Sequence, residues 1–126
     1  MKSKIIFLVS FMIVMAMAGL CRADVVQDSL DSAKKQGKLV MIEIGSVGCI
    51  PCDKMKIVMD KLRTDYKDKL EVIFIDVRHD RENTRRFGVT MIPTQVFLDK
   101  NGKEFHRHIG FYAFDEITPV LKQAGL

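Results

Sequence analysis

EIGSVGCIPCDKM, residues 43–55, joins an apolar segment to an amphipathic one through a pair of cysteines. Before it, residues 38–45 (KLVMIEIG) are rich in branched apolar side chains and short enough to form a buried strand. After it, apolar residues recur at helical intervals, at Met55, Val58, Met59, Leu62 and Tyr66. Cys49 and Cys52 therefore stand at a predicted strand-to-helix junction, where the helix begins.

This placement gives the two cysteines different chemistry. A thiolate at a helix N-terminus faces free N–H groups and the positive end of the helix dipole, so we expect the pKa of Cys49 to fall below its free value. Cys52 lies on the core-facing stripe of the helix, and Pro51 costs no hydrogen bond at the helix start. Cys49 is the predicted nucleophile of a thiol–disulfide exchange, and Cys52 is the predicted resolving thiol.

Two other interpretations of the cysteine pair are an inert turn disulfide and half of a metal site. A bridge between residues so close in sequence would restrain little chain, which argues against a structural role. A four-ligand zinc site needs two more ligands, and the sequence has no second pair of cysteines. His106 and His108 alternate along a predicted strand and could share one face. We expect redox chemistry without a metal or other cofactor.

The remaining segments alternate between helical and extended patterns. Helices are predicted from Val25 to a stop at Gly37, over residues 81–87 up to Gly88, and over residues 116–121, where Pro119 restricts the start. Strands are predicted over residues 70–77 (LEVIFIDV), 94–98 (TQVFL) and 103–109, the last two forming a hairpin. This order predicts an α/β domain with helices on both faces of a sheet.

The N-terminus has the pattern of a secretory signal peptide. Lys2 and Lys4 precede an apolar stretch of 16 residues, 5–20, which is shorter than the roughly 20 of a membrane-spanning helix. We predict a signal peptide over residues 1–23 and a single domain over residues 24–126. Cleavage after Ala18 is an alternative, and residues 18–21 (AGLC) also resemble a lipoprotein box that would acylate Cys21 and anchor the chain.

Net charge does not point to nucleic acid. The formal charge is +4, but removal of Lys2, Lys4 and Arg22 with the leader leaves 17 basic against 16 acidic residues. About a hundred residues then remain, enough for a single core. The predicted location is periplasmic or otherwise extracytoplasmic.

Several of these segments resemble the thioredoxin family. Residues 43–55 resemble its active-site strand, loop and helix start, and residues 91–94 (MIPT) resemble its cis-proline loop. Residues 101–103 and 109–111 are similar to the hairpin turn and glycine that follow. The resemblance covers nearly all of residues 25–126. It implies a thioredoxin fold, with a central mixed four-stranded sheet flanked by helices.

The resemblance also implies roles for individual residues. The Ile92–Pro93 bond would be cis and lie beside the cysteines, where it would bind an extended substrate together with Ile50 and Pro51. An ordinary trans proline is the alternative. Glu43 stands where thioredoxins carry a buried aspartate, so it would act as general base for Cys52 with a raised pKa. The alternative is that Glu43 turns to water.

Two departures from the family pattern affect partner choice and redox potential. Ser46, Val47 and Gly48 replace the tryptophans that commonly flank the motif, and Ile57 replaces a kinking proline. These changes leave the predicted fold intact.

The direction of electron flow is inferred from finer resemblances. Residues 94–111 resemble the C-terminal domain of the membrane-spanning disulfide reductase of bacterial envelopes, and small exported thioredoxins that work with cytochrome c maturation proteins. A proline before the second cysteine, here Pro51, is typical of reducing members. We therefore expect a monomeric reductant of envelope protein disulfides, recharged by a membrane electron donor. An oxidase or isomerase of exported proteins and a metal-binding chaperone are the alternatives.

Overall fold

The computed structural model describes residues 24–126 as four strands and four helices. The signal-peptide prediction for residues 1–23, including Cys21, lies outside the described residues. In chain order the elements are α1 (Val25–Lys35), β1 (Leu39–Gly45), α2 (Ile50–Asp65), β2 (Leu70–Asp76), α3 (Arg81–Arg86), β3 (Thr94–Leu98), β4 (Glu104–Ile109) and α4 (Phe114–Gln123).

The four strands form one mixed sheet in the order β2-β1-β3-β4. Strand β1 pairs with β2 in parallel and with β3 antiparallel, and β3 pairs antiparallel with β4. The parallel pair is joined through helix α2, and β3 and β4 form the hairpin expected from the turn residues. The predicted α/β fold, a mixed four-stranded sheet flanked by helices, is confirmed.

Side chains of β1 alternate between two cores, one on each face of the sheet. Leu39 and Met41 pack in a core with α2 and α4, whereas Val40, Ile42 and Ile44 pack in a second core with α1. All seven residues of β1 are buried. Because both faces are covered, β1 has the continuous apolar composition from which an interior strand was predicted. Its position in the middle of the sheet sets the position of the loop that follows it.

The last helix begins earlier than predicted. Helix α4 starts at Phe114, and the Glu116 side chain accepts a hydrogen bond from the Ala113 backbone N–H at 3.0 Å. Pro119 lies inside the helix, where it removes a bond to the Asp115 carbonyl. Pro119 and Asp115 are both exposed, so water can take the place of the missing donor. The helix can therefore begin at Phe114, two residues before the predicted start, although Pro119 lies within it.

Among residues 24–126, none of the helices combines the length and the apolar composition that spanning a lipid bilayer requires.

Candidate active site

Cys49 and Cys52 form a disulfide at the start of helix α2, with their Cα atoms 5.2 Å apart. Cys49 is the N-cap residue and has an extended backbone (φ −96°, ψ 114°). Cys49 is partly exposed, whereas Cys52 is buried with 5% of its surface accessible. One sulfur is therefore presented to partners while the other is shielded, which is the asymmetry that the sequence predicted.

The first turn of α2 holds the cysteine backbone in place. The Asp53 N–H donates to the Cys49 carbonyl at 2.9 Å, closing the first helical hydrogen bond. Pro51 is the second helical residue, a position whose N–H has no partner within a helix. The N–H groups of Ile50 and Cys52 have no such partner either, so the helix end is electropositive beside the Cys49 sulfur.

Glu43 is a carboxylic acid in the middle of the core. Its side chain is fully buried, and it occupies an odd position of β1, so it points to the α2 face with Leu39 and Met41. Burial raises the pKa of Glu43 to about 8, and a hydrogen bond from Gln95 opposes part of that rise. The alternative in which Glu43 turns to water does not occur.

Gly45 leaves a space between Glu43 and Cys52. A Cβ placed on Gly45 would lie 3.3 Å from the Cys52 Sγ and 3.6 Å from the Glu43 Oε1. The sulfur and the carboxylate oxygen therefore border the same small region above the Gly45 Cα. Proton exchange between these two groups is the role that the thioredoxin resemblance predicts for Glu43.

The Ile92–Pro93 peptide bond is cis. Ile44 pairs with Thr94 in the antiparallel register, so Pro93 lies at the same end of the sheet as the loop that leads to Cys49. Pro93 is buried and its carbonyl accepts a hydrogen bond from Gly110 N–H at 2.8 Å. Ile50 is 75% exposed beside the cysteines. The structure thus brings the predicted site residues to one end of the sheet; their binding of substrate remains a prediction.

An arginine outside the motif fixes the loop before Cys49. The Arg78 Nη2 donates to the Val47 carbonyl at 2.6 Å, across 31 positions of sequence. Gly48 adopts a left-handed conformation (φ +81°), which its lack of a Cβ allows. Together these features turn the chain between β1 and α2.

Sequence reasoning missed Gln95 and Arg78. Gln95 is fully buried and its side-chain N–H group donates to the Glu43 Oε2 at 2.9 Å. Its signal is its place two positions before Phe97 in the predicted strand, which puts both side chains on the same face of the sheet. Arg78 carried no comparable signal, because its partner is a backbone carbonyl distant in sequence.

The two strand histidines pack around one tyrosine. The His106 Nε2 lies 3.2 Å from the Tyr112 hydroxyl, and the His108 ring stacks on the Tyr112 ring at a centroid distance of 3.9 Å. Within residues 24–126, no group of three or more His, Cys, Asp or Glu side chains could hold a metal ion. Aromatic packing accounts for both histidines.

A disulfide that joins an exposed and a shielded sulfur at a helix N-terminus, with a buried acid behind it, defines a class of proteins that exchange dithiols and disulfides. The chain matches the model of the thioredoxin-like domain family over residues 26–125. A thioredoxin of Bacillus subtilis (strain 168) is 31% identical over 96 residues, which cover 76% of this chain and 91% of that protein.

Solved structures agree with the sequence comparison. A thioredoxin from Nicotiana alata superimposes with a TM-score of 0.69 at 26% identity, covering 81% of this chain and 86% of that one. The germline thioredoxin Deadhead of Drosophila melanogaster superimposes with a TM-score of 0.68 at 26% identity, covering 78% and 90%. The chain belongs to the thioredoxin-like family, and it is a thiol:disulfide oxidoreductase.

Proposed function

We propose that this oxidoreductase reduces disulfides of exported proteins in a bacterial envelope and is recharged by a membrane electron donor of the cytochrome c maturation type. The observation that carries the exchange chemistry is the pairing of a partly exposed Cys49 with a buried Cys52 at the start of α2. The leader-like residues 1–23 support an extracytoplasmic location. Pro51 directly before Cys52 supports the reducing direction.

The reaction proceeds in two exchanges. The Cys49 thiolate attacks one sulfur of the substrate disulfide, and the other substrate sulfur leaves as a thiolate and takes up a proton. Cys52 then attacks the Cys49 sulfur, which forms the Cys49–Cys52 disulfide and releases the second substrate sulfur. Two electrons pass to the substrate, and the membrane donor returns two electrons to the cysteine pair.

Glu43 acts as the general base in the second exchange. The Cys52 thiol must lose a proton to become a nucleophile, and Glu43 Oε1 borders the same space above Gly45. Because burial raises the pKa of Glu43 to about 8, the group is poised to accept and return a proton near neutral pH.

The surface around Ile92 and Pro93 binds the substrate. Ile50 and Pro51 lie between the two cysteines in the sequence, and the cis-proline loop lies at the same end of the sheet. An extended substrate segment can pair with the loop backbone while its apolar side chains contact Ile50, which is 75% exposed.

Two measurements test the direction of electron transfer and the distinction between an oxidoreductase and a metal-binding chaperone. The expected equilibrium potential of the cysteine pair is close to that of reducing thioredoxins, and a value near that of strong periplasmic oxidants would overturn the reductase proposal. Retention of stoichiometric copper or zinc after dialysis, without insulin reduction, would instead favour a metal-binding chaperone.

Mass spectrometry of the exported product tests the location. A mature chain beginning at Asp24 is the expected result. A chain beginning at an acylated Cys21 would show a membrane-anchored form, and an intact leader in the cytoplasm would overturn the envelope proposal. Trapping with Cys52→Ala, which stalls the mixed disulfide at Cys49, identifies the client protein.

A further inference from the structure

The carboxylate of Glu43 has one polar cross-strand neighbour. In the sheet register Glu43 stands between Phe74 of β2 and Gln95 of β3. Phe74 has no group that can donate a hydrogen bond. Gln95 is fully buried on the α2 face, as its spacing from the core residue Phe97 requires, and its Nε2 lies 2.9 Å from the Glu43 Oε2.

The chemistry of a second contact fixes the orientation of the Gln95 amide. Its Nε2 also lies 3.1 Å from the carbonyl oxygen of Gly110. A carbonyl can only accept a hydrogen bond, so the amide group facing Gly110 must be the N–H₂ and not the oxygen. The same nitrogen therefore has to donate to Glu43. Gly110 is held in turn by its N–H, which donates to the Pro93 carbonyl at 2.8 Å.

The two oxygens of Glu43 are consequently unlike. Oε2 accepts from Gln95, whereas Oε1 has no hydrogen-bond partner among the described residues. Oε1 is the oxygen that borders the space shared with the Cys52 Sγ. A buried oxygen without a donor is best satisfied when it carries the proton itself.

We propose that Gln95 is a positioning residue for the second exchange, holding Glu43 by Oε2 so that Oε1 receives the Cys52 proton. The inference rests on the proposed role of Glu43 as general base. In the step, the S–H bond of Cys52 breaks and its proton passes to Oε1. The electron pair left on the Cys52 sulfur forms the bond to the Cys49 sulfur. The bond between Cys49 and the substrate sulfur breaks, and the substrate sulfur leaves as a thiolate.

Gln95→Met tests the proposal, because methionine keeps the length of the side chain and removes the donor. The hydrogen bond from Gln95 favours the charged form of Glu43, so its loss raises the Glu43 pKa above the value of about 8. We expect an upward shift of about one unit in the carboxyl carbon-13 titration of the oxidised protein. Thr94→Val removes a buried hydroxyl from the same strand and is expected to leave that titration unchanged.

Mixing the reduced protein with Ellman's disulfide separates the two exchanges kinetically. Attack by Cys49 releases one coloured thiolate, and resolution by Cys52 releases the second. In Gln95→Met we expect the second phase to slow about tenfold at pH 7 and to recover in alkaline solution, since a one-unit shift reduces the ionised fraction of Glu43 about tenfold. The first phase is expected to keep the wild-type rate, which a general loss of structure would not allow.

Glu43→Gln separates failure of this inference from failure of the proposed base. If Glu43→Gln leaves the pH profile of the second phase unchanged, Glu43 is not the base and both proposals fall. If Glu43→Gln flattens the pH profile of the second phase, while Gln95→Met changes neither the Glu43 titration nor the second-phase rate, only the positioning role of Gln95 is wrong. Gln95→Leu is the second variant. If Gln95→Met does not fold, the same titration and the same second-phase rate are measured in Gln95→Leu, with the same expected changes.

Discussion

The Cys52 side chain packs against the bare Cα of Gly45, where an added Cβ would lie 3.3 Å from both the Cβ and the Sγ of Cys52. The other glycines of residues 24–126 have positive φ values, but Gly45 does not. The reason for glycine here is therefore space and not backbone conformation. The close approach lets helix α2 lie near enough to β1 for Cys52 and Glu43 to share one region.

Gly45→Ala is expected to crowd Cys52. Overpacking of this kind lowers the free energy of unfolding by about 1–3 kcal/mol, measurable by urea denaturation. We also expect a slower second phase with Ellman's disulfide, because the added methyl group occupies the space between Cys52 and Glu43. Gly37→Ala is the control: it strains a left-handed backbone (φ +64°) with open space around the Cβ, so it should lower stability without changing that phase. Equal kinetics in Gly45→Ala and wild type would contradict the expectation.

Substitutions of the two cysteines are expected to stop the exchange reaction at different steps. Cys49→Ser abolishes the catalysis of insulin reduction by dithiothreitol, because no exposed thiolate remains to attack, and leaves only the slow uncatalysed reaction. Cys52→Ala still attacks but cannot resolve, so it releases one coloured thiolate from Ellman's disulfide and stays covalently bound. Intact-mass measurement detects that adduct. Insulin reduction by Cys49→Ser at the wild-type rate would remove the assigned nucleophile.

Glu43 makes the stability of the oxidised protein depend on pH. Its folded-state pKa, about 8, lies above the usual carboxyl value of 4.5, so the folded state keeps a proton that the unfolded chain releases. The contribution of Glu43 to the free energy of unfolding is fully present below the unfolded-state pKa. It is lost as pH rises toward the folded-state pKa, by about 1.4 kcal/mol per pH unit between these two pKa values. Glu43→Gln should remove this slope. Urea unfolding of both proteins at pH 5, 6, 7 and 8 measures the difference, and parallel curves would show that Glu43 has an ordinary pKa.

Ile50 is expected to contribute to substrate binding. Ile50 and Ile57 are both on α2 and almost equally exposed, at 75% and 74%, but only Ile50 adjoins Cys49. Ile50→Ser should raise KM for a disulfide-bonded peptide several-fold while kcat changes little, because an apolar contact of roughly 1–2 kcal/mol is lost. Ile57→Ser is the matched control with wild-type kinetics. Equal effects of the two substitutions would place substrate binding elsewhere.

Local pattern was enough to predict most of the elements. Apolar runs predicted β1 and β2, helical spacing predicted α2, and turn residues predicted the β3–β4 hairpin, because each depends on neighbours within a few positions. The start of α4 was placed too late, since a proline rule ignores whether water can satisfy the freed carbonyl. The cysteine pair was found because strand, loop and helix start are contiguous in the chain.

An α/β domain with a reactive cysteine pair at a helix start follows from patterns that are local in the sequence. The residues around that pair are brought there by the folding of distant segments: Gln95 donates a hydrogen bond to Glu43 across 52 positions, and Arg78 donates one to the Val47 carbonyl across 31. Such partners depend on strand register and on the turn of a distant loop. A buried acceptor must find a donor in three dimensions, and no local periodicity encodes which residue provides it.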